Sequence, residues 1–337
     1  MRLRLRLLTA AAALLFTVAV GSNVRAADLI YVTLSNNTVV RYDATGNDGT
    51  AIAASAAVFV NTNLSSPRGL AFDDSGILYV ANSGNNTISK YNSAGTYLSN
   101  ITGNLSEPRG LAFDSSGNLF AANSTGNTIS KFNSAGAYLS NIATNLNNPR
   151  GLAFDASGNL YAANGSGSTI SKFNSAGTYV SNITTNLNNP WGLAFDASGN
   201  LYAANTTNST ISKFNSAGTY LSNITTNLST PWGLAFDTSG NLYAANFGNS
   251  TISKFDSSGN FLTSWSTGST PRFLAFQPVP EPSTYALGGI CALTMGYIAR
   301  RRKARRQDWT CKEKQRALET GRMPLGSGVI FRTEMFE

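Results

Sequence analysis

The stretch PRGLAFDDSGILYVANSGNNTISKYNSAGTYLSNITGNLSE, from Pro67 to Glu107, decides the fold because the chain goes on to repeat it. Later copies begin at Pro108, Pro149, Pro190 and Pro231, and a shortened copy begins at Pro271. The copies follow one another every 41 residues, and the last step is 40 residues. A constant period in this range is typical of solenoids, propellers and repeat arrays.

Each copy contains four short runs that favour β-strands: GLAF, NLYAAN, TISKF and TYLSNI. The runs are rich in β-branched and aromatic residues, and turn sequences such as Asp-x-Ser-Gly and Asn-Ser-Ala-Gly separate them. No stretch of the repeats shows a helical period. Four strands in about 41 residues are the sequence form of one blade of a β-propeller.

The two ends of the array complement each other. Residues 28–66 contain LIYVT, VVRYD and AAVFV, which correspond to the second, third and fourth strands of a blade. The missing first strand is present at the far end as PRFLAF, Pro271–Phe276. We therefore predict an all-β, six-bladed propeller over residues 27–277, with five full blades and one composite blade. Joining both ends in one sheet removes edges that would otherwise pair with other chains.

The pattern PRGLAFDxSGNLYxAN followed by TISKFN resembles the NHL repeat. The resemblance implies that the first strand of each blade lines a central channel, with its Pro-x-Gly at one mouth. It says little about activity, because propellers of this kind include both enzymes and passive binders.

One position varies among otherwise similar copies, directly after the proline that opens each blade. It holds Arg68, Arg109, Arg150, Trp191, Trp232 and Arg272. If these side chains ring the mouth, arginine provides a planar fork for carboxylate, sulfate or phosphate, and tryptophan a flat face for a sugar. We expect a site for an acidic or glycan ligand there. The alternative is that these side chains only cover neighbouring loops and bury their stems.

Other polar positions recur in every copy and favour structural roles. Aspartates precede the Ser-Gly turns, and we expect them to cap these turns; they are Asp73, Asp114, Asp155, Asp196 and Asp237. Asparagines end the second strands, where a turn role is also favoured; they are Asn82, Asn123, Asn164, Asn205 and Asn246. The loops that follow vary and should open on the same face as the ring; they are Ser83–Asn86, Ser124–Asn127, Gly165–Ser168, Thr206–Ser209 and Phe247–Ser250.

The titratable residues argue against catalysis. The chain contains no histidine, so acid–base work would fall to Asp, Glu, Lys or Tyr, and zinc would lack its usual ligands. Most acids of the repeats occupy equivalent turns, and Glu107 is the only glutamate between Ala27 and Val279. We expect no catalytic residue, metal or cofactor. The alternative is a surface lactonase- or lyase-like enzyme that uses calcium bound by carboxylates.

The N-terminus predicts an export signal over residues 1–26. Arg2, Arg4 and Arg6 precede an apolar run from Leu7 to Val20, and small residues follow, so we expect cleavage between Ala26 and Ala27. An uncleaved anchor is the alternative, although 14 residues are short for a membrane span.

The formal charge of +8 lies at the two ends, since residues 27–282 hold ten basic and twelve acidic side chains. This distribution excludes a nucleic-acid partner, which needs its positive charge on the folded domain.

The C-terminal stretch VPEPSTYALGGICALTMGYIARRRKARR, Val279–Arg306, has three parts: the triplet Pro280-Glu281-Pro282, an apolar span over 284–299, and a basic stop that includes Arg300, Arg301 and Arg302. It resembles the PEP-CTERM sorting signal, here assigned to residues 278–306. The resemblance implies transient insertion in the inner membrane, recognition by an exosortase, and transfer to the cell surface or extracellular matrix of a Gram-negative bacterium.

A span of 16 residues is short for a permanent anchor, which remains the alternative. The family's signal normally ends the protein, whereas here a basic tail follows over residues 307–337, either disordered or an artefact of the gene model. The expected product is an exported binding or scaffold module. Its expected partners are the exosortase and either an extracellular polysaccharide or another envelope protein.

Overall fold

A computed structural model of the protein describes residues 29–43 and 57–277. These residues form 24 β-strands, and the described part of the chain contains no helix. The expected signal peptide with its cleavage point, the sorting motif, the membrane span at 284–299 and the basic tail all lie outside the described residues. Within the described ranges, no helix is long and apolar enough to cross a membrane.

The strands form six four-stranded antiparallel sheets, the blades, as the 41-residue period predicts. Blades 1 to 5 each use four consecutive strands. Blade 1 consists of β4 (Pro67–Phe72), β5 (Leu78–Asn82), β6 (Thr87–Tyr91) and β7 (Tyr97–Thr102). Blade 2 consists of β8 (Pro108–Phe113), β9 (Leu119–Asn123), β10 (Thr128–Phe132) and β11 (Tyr138–Ile142). Blade 3 consists of β12 (Pro149–Phe154), β13 (Leu160–Asn164), β14 (Thr169–Phe173) and β15 (Tyr179–Ile183). Blade 4 consists of β16 (Pro190–Phe195), β17 (Leu201–Asn205), β18 (Thr210–Phe214) and β19 (Tyr220–Ile224). Blade 5 consists of β20 (Pro231–Phe236), β21 (Leu242–Asn246), β22 (Thr251–Phe255) and β23 (Phe261–Ser266).

Blade 6 is the composite sheet expected from the two incomplete ends. Its strand order is β24, β1, β2, β3, where β1 is Leu29–Leu34, β2 is Val39–Asp43, β3 is Ala57–Val60 and β24 is Pro271–Phe276. Strand β24 pairs antiparallel with β1, and Val32 lies opposite Leu274. The innermost strand of every blade contacts those of both neighbours, and β24 contacts β4 to close the ring. Closure of the propeller therefore depends on strands from both ends of the repeat region.

The core lies between the blades. Tyr79 and Ala81 of blade 1, for example, pack in one cluster with Leu111 and Phe132 of blade 2. The second strand of each of blades 1 to 5 is buried at all five positions, because its two faces meet two neighbouring sheets. This explains why runs such as LYAAN lack the alternation of a half-exposed strand. The fourth strands form the outer edge and are mostly exposed.

Glycine brings the innermost strands close together around the channel. A Cβ atom at Gly110 would lie 2.1 Å from the carbonyl oxygen of Arg150, and one at Gly151 would lie 2.1 Å from that of Trp191. Real Cβ atoms do not approach this closely, so any other residue would force adjacent blades apart. The Pro-x-Gly sequence thus places its middle residue at a tightly packed mouth.

Candidate functional site

All six variable residues of the Pro-x-Gly position lie at the same end of their innermost strands. This end of the propeller is called the mouth below, and it carries Arg68, Arg109, Arg150, Trp191, Trp232 and Arg272. The side chains meet one another there. The guanidinium carbon of Arg68 lies 5.1 Å from the ring centroid of Trp232, and that of Arg109 lies 5.1 Å from Trp191.

An aromatic stack fills one side of the mouth. The rings of Trp191 and Trp232 stack with centroids 3.7 Å apart, and Phe247 stacks on Trp232 at 4.0 Å with an interplanar angle of 7°. Arg150 covers Trp191, with its guanidinium carbon 3.9 Å from the ring centroid. The two tryptophans are only 7% and 8% exposed, so little of their flat surface is open to a sugar. This burial is what the alternative interpretation, in which these side chains cover their neighbours, predicts for the tryptophans.

The arginines are held by different neighbours in each blade. Nε of Arg68 donates to Oγ of Ser83 at 3.2 Å, and Nε of Arg109 donates to Oγ of Ser124 at 2.8 Å. Nε of Arg150 donates to Oδ1 of Asn148 at 2.7 Å. Nη1 of Arg272 donates to the carbonyl oxygen of Pro67 at 2.9 Å.

The residue that follows the buried asparagine of the second strand fits the mouth residue in four blades. Ser83 and Ser124 each accept a hydrogen bond from an arginine, and Phe247 stacks on a tryptophan. At Gly165 a Cβ atom would lie 2.3 Å from Nε of Arg150, so glycine makes room for that arginine. In blade 4 the residue is Thr206, whose hydroxyl donates to the carbonyl oxygen of Asn189 instead. The sequence showed that these loops vary, but not that the first residue fits the mouth residue in blades 1, 2, 3 and 5.

The mouth holds a cluster of positive charge that is poorly balanced. Burial, and then the charges of Arg272 and Arg109, lower the pKa of Arg68 to about 9. Burial, and then Arg109, lower the pKa of Arg150 to about 10 and also lower that of Arg272. All three pKa values are lowered for the same reason, because burial and neighbouring like charges disfavour the charged form of an arginine. An anion bound at the mouth would relieve this repulsion.

Three buried donor atoms at the mouth have no hydrogen-bond partner within the described residues. They are Nη1 of Arg68, Nε of Arg272 and Nε1 of Trp191. Arg272 is 9% exposed and Arg68 is partly exposed. Buried polar groups are normally paired, and leaving one unpaired costs about 1–3 kcal/mol. Acceptor atoms of a ligand would satisfy these donors if the side chains turned to expose them.

One acid enters the mouth, and it is Glu107. Its Oε1 accepts a hydrogen bond from Nη2 of Arg109, and its Oε2 accepts one from Oγ1 of Thr125 at 3.0 Å. Burial acts to raise the pKa of Glu107, but the charge of Arg109 and these hydrogen bonds outweigh it and lower the pKa. The carboxylate is therefore ionised at neutral pH. Nothing in the sequence around Glu107 indicated that it pairs with Arg109.

The channel below the mouth is narrow. Its cavity measures about 60 Å³, and glycines and leucines of the innermost strands line it together with Phe273.

The opposite face carries the repeated aspartates, which cap turns as predicted. In blade 3, Oδ1 of Asp155 accepts the backbone N–H groups of Ser157 and Asn159 at 3.0 and 2.8 Å. The repeated asparagines anchor loops instead. Oδ1 of Asn164, for example, accepts the backbone N–H of Asn147 at 3.0 Å. Within residues 29–43 and 57–277, no three His, Cys, Asp or Glu side chains come together in a way that would hold a metal ion.

Comparison with protein families confirms both resemblances. The NHL repeat model matches residues 64–91, 187–214 and 228–255, and the PEP-CTERM protein-sorting motif matches residues 278–303. No curated protein matches the sequence. The chain thus carries NHL repeats in a six-bladed propeller, followed by a PEP-CTERM sorting motif.

Many solved structures share the fold. A chain of a nidogen/laminin complex is 21% identical with a TM-score of 0.67, over 75% of this chain and 99% of that one. Virginiamycin B lyase from Staphylococcus aureus is 16% identical with a TM-score of 0.54, over 63% and 77%. A candidate gluconolactonase is 18% identical with a TM-score of 0.56, over 63% and 81%. These likenesses show the fold alone.

Proposed function

We propose that this protein is an exported propeller that binds an acidic glycan at the mouth and acts at the cell surface or in the extracellular matrix. Its PEP-CTERM motif implies recognition by an exosortase and export to the cell envelope. Passage through the inner membrane, removal of both terminal signals and arrival at the outer surface belong to the proposal. The ligand would be part of the extracellular polymer around the cell.

The observation that carries the binding site is the cationic cluster at the mouth. Residues 27–282 contain more acidic than basic side chains, yet four arginines meet at one end of the channel with a single glutamate. Two of these arginines also have buried donors without partners. Guanidinium groups bind carboxylate and sulfate through paired hydrogen bonds, and these are the acidic groups of extracellular polysaccharides.

The last described strand runs away from the mouth. Strand β24 starts beside the mouth at Pro271 and ends at Phe276 on the opposite face. The last described residue, Gln277, is held there by its side-chain oxygen, which accepts a hydrogen bond from the Tyr31 hydroxyl at 2.9 Å. No residue of this last strand after Arg272 therefore needs to take part in the proposed site.

The alternative is a surface enzyme of the lactonase or lyase kind with calcium held by carboxylates. Its support is the likeness to virginiamycin B lyase and to the candidate gluconolactonase, which shows the fold only. A catalytically inactive form of that lyase carries alanine in place of a histidine, and this chain contains no histidine. No contact among the described residues of the mouth favours catalysis over binding.

The test is retention of the native protein on an acidic polysaccharide. Mass spectrometry of protein from the surface fraction of its host should give an intact mass that corresponds to residues from Ala27 to about Pro282, because both signals are removed. We expect retention on immobilised polyuronate, release by salt, and passage through a neutral dextran column. A protein in the inner membrane whose mass corresponds to a chain ending at Glu337 would contradict surface delivery. Equal retention on the polyuronate and dextran columns would contradict binding of an acidic glycan.

Substitutions locate the binding to the mouth. The triple variant Arg68→Gln, Arg109→Gln, Arg150→Gln and the double variant Trp191→Ala, Trp232→Ala should both abolish retention. Arg41→Gln is the matched control, because Arg41 lies on β2 and contacts Phe59 rather than the mouth. Unchanged retention by folded mouth variants would remove this site.

A further inference from the structure

The four arginines of the mouth are not equivalent, because they have different partners. Arg109 is already paired with the Glu107 carboxylate. Arg150 lies over the ring of Trp191 and donates a hydrogen bond to Asn148. Arg68 and Arg272 have no acidic partner in the described part of the chain, and each retains a buried donor without an acceptor.

Arg68 and Arg272 are close neighbours across the junction of blades 6 and 1. Arg272 donates to the carbonyl oxygen of Pro67, the residue directly before Arg68. Arg272 is also the charge that most lowers the pKa of Arg68. Two neighbouring guanidinium groups with unpaired donors are able to hold one oxyanion once their side chains turn to expose those buried donors.

The backbone at Glu107 is shared by the repeat, but its charge is not. Its φ is 51°, in the left-handed region, and the equivalent residues Ser66, Asn148, Asn189 and Thr230 of blades 1, 3, 4 and 5 have φ values of 48° to 53°. The left-handed backbone therefore belongs to the turn before each blade-opening proline and does not single out Glu107. What distinguishes blade 2 among these blades is the carboxylate.

The pair in blade 3 shows what the charge adds. Asn148 holds Arg150 through its amide oxygen, as Glu107 holds Arg109 through its carboxylate. An uncharged residue is therefore able to position an arginine at this place in a blade. The extra property of Glu107 is its negative charge, which neutralises Arg109.

We propose that Arg68 and Arg272 bind a single carboxylate of the ligand, and that Glu107 is a specificity-determining residue that keeps Arg109 from binding a second one. This deepens the proposed function, on which it rests. The ligand class that follows is a polymer with well-separated uronic acid groups, since adjacent carboxylates would meet Glu107. Sulfate, which has the same shared oxyanion chemistry, is the second probe in the test.

The test measures binding of D-glucuronate and, separately, of inorganic sulfate to the full-length protein by calorimetry. We expect one site per protein for glucuronate. Arg68→Gln should weaken binding at least tenfold, because a charged hydrogen-bond donor is lost. Arg68→Lys keeps the charge but not the fork and should weaken it less. Sulfate binding at the same stoichiometry with higher affinity would overturn the assignment to a carboxylate.

Glu107→Asn copies the arrangement of blade 3 and should create a second anion site or tighten binding at least threefold. The double variant Glu107→Asn, Arg109→Gln should return to one site within twofold of the wild type. A loss in that double variant as large as in Arg68→Gln would overturn the proposal, as would an unchanged Glu107→Asn variant.

The outcomes distinguish this inference from the function beneath it. If the protein binds polyuronate but Arg150→Gln rather than Arg68→Gln removes binding, the function stands and the anchoring pair is wrong. If no acidic probe binds the wild type, both fail. Circular dichroism and thermal unfolding of each variant, with Arg41→Gln alongside, separate loss of binding from loss of fold.

Discussion

The two faces of the propeller are built on the same strands but differ in how much their blades vary. On the face opposite the mouth, blades 1 to 5 each carry an aspartate turn, and blades 2 to 5 close it with a lysine 3.3 to 3.9 Å away. At the mouth, the equivalent position changes between arginine and tryptophan from blade to blade. The constant face reflects what every blade needs to fold. Because the mouth residues differ between blades, the variable face is where one blade is able to form a site that the other five blades lack.

The constant and variable positions also alternate along one strand. In β12, Arg150 and the following Gly151 lie at the mouth, and only the glycine is shared by blades 1 to 5. The glycine is required by the close approach of the next blade, whereas the arginine meets no such limit. Variation within a repeat therefore separates the proposed binding positions from folding positions at the scale of single residues.

The largest effect is expected where a constant residue supports the mouth. Gly151→Val should abolish folding or cost several kcal/mol, because its Cβ would lie 2.1 Å from the Trp191 carbonyl oxygen. Gly167→Ala is the matched control, since a Cβ there meets only ordinary contacts at 3.5 Å and beyond. Urea unfolding measures both. Similar stabilities for the two variants would contradict the tight packing of the inner strands.

An intermediate effect is expected on the opposite face. Burial acts to raise the pKa of Asp155, but hydrogen bonds from Asn159 and the charge of Lys172 outweigh it and lower the pKa; Asp114 and Asp196 behave alike. Because the folded pKa lies below the unfolded one, the stabilisation is present above about pH 4 and is lost as the pH falls through the folded pKa.

The triple variant Asp114→Asn, Asp155→Asn, Asp196→Asn should be less stable at pH 6, by about 1–2 kcal/mol for each turn. Its unfolding free energy should also depend less on pH between 6 and 2.5 than that of the wild type. Denaturant unfolding at several pH values checks this. Binding at the mouth should stay within twofold, and a larger change would break the separation of the two faces.

The smallest effect tests one place where the opposite face departs from its repeat. In blades 1, 3, 4 and 5 a tyrosine hydroxyl donates to the turn aspartate at 3.1 to 3.4 Å. Blade 2 has Phe120 instead, and beside it lies a cavity of about 160 Å³ lined by Asp114 and Lys131.

Phe120→Tyr should add the missing hydrogen bond and stabilise the protein by about 0.5–1.5 kcal/mol. Tyr161→Phe should cost a similar amount, because it removes the same bond from blade 3. Thermal unfolding of the two variants, with midpoint shifts of a few degrees in opposite directions, checks this pair. Shifts in the same direction would show that the blades do not share one turn design.

Much of the fold was predictable because repetition makes register visible. The period, the turn residues and the two incomplete ends together predicted six blades and the pairing of β24 with β1. The six mouth residues were also predictable as a group, since they vary where their neighbours do not. The burial of strands such as LYAAN on both faces was not predictable from the strand alone, because it depends on how neighbouring blades pack against each other.

The relations among the mouth residues were not predictable. Trp191 and Trp232 are separated by a full repeat, yet they stack on each other and on Phe247, which leaves little open surface. Glu107 precedes a proline and has the appearance of a loop charge, but it pairs with Arg109 two residues later. Side chains of this length reach several alternative neighbours, and only packing selects among them.

The sequence by itself determined the number of blades, their closure and the C-terminal sorting motif, because strand, turn and sorting patterns are local and each can be recognised within tens of residues. The tertiary structure decided which arginine has an acidic partner, which tryptophan faces are covered and which buried donors stay unpaired. Those properties depend on distances between residues of different blades. A ring brings such residues together only when all six sheets have closed.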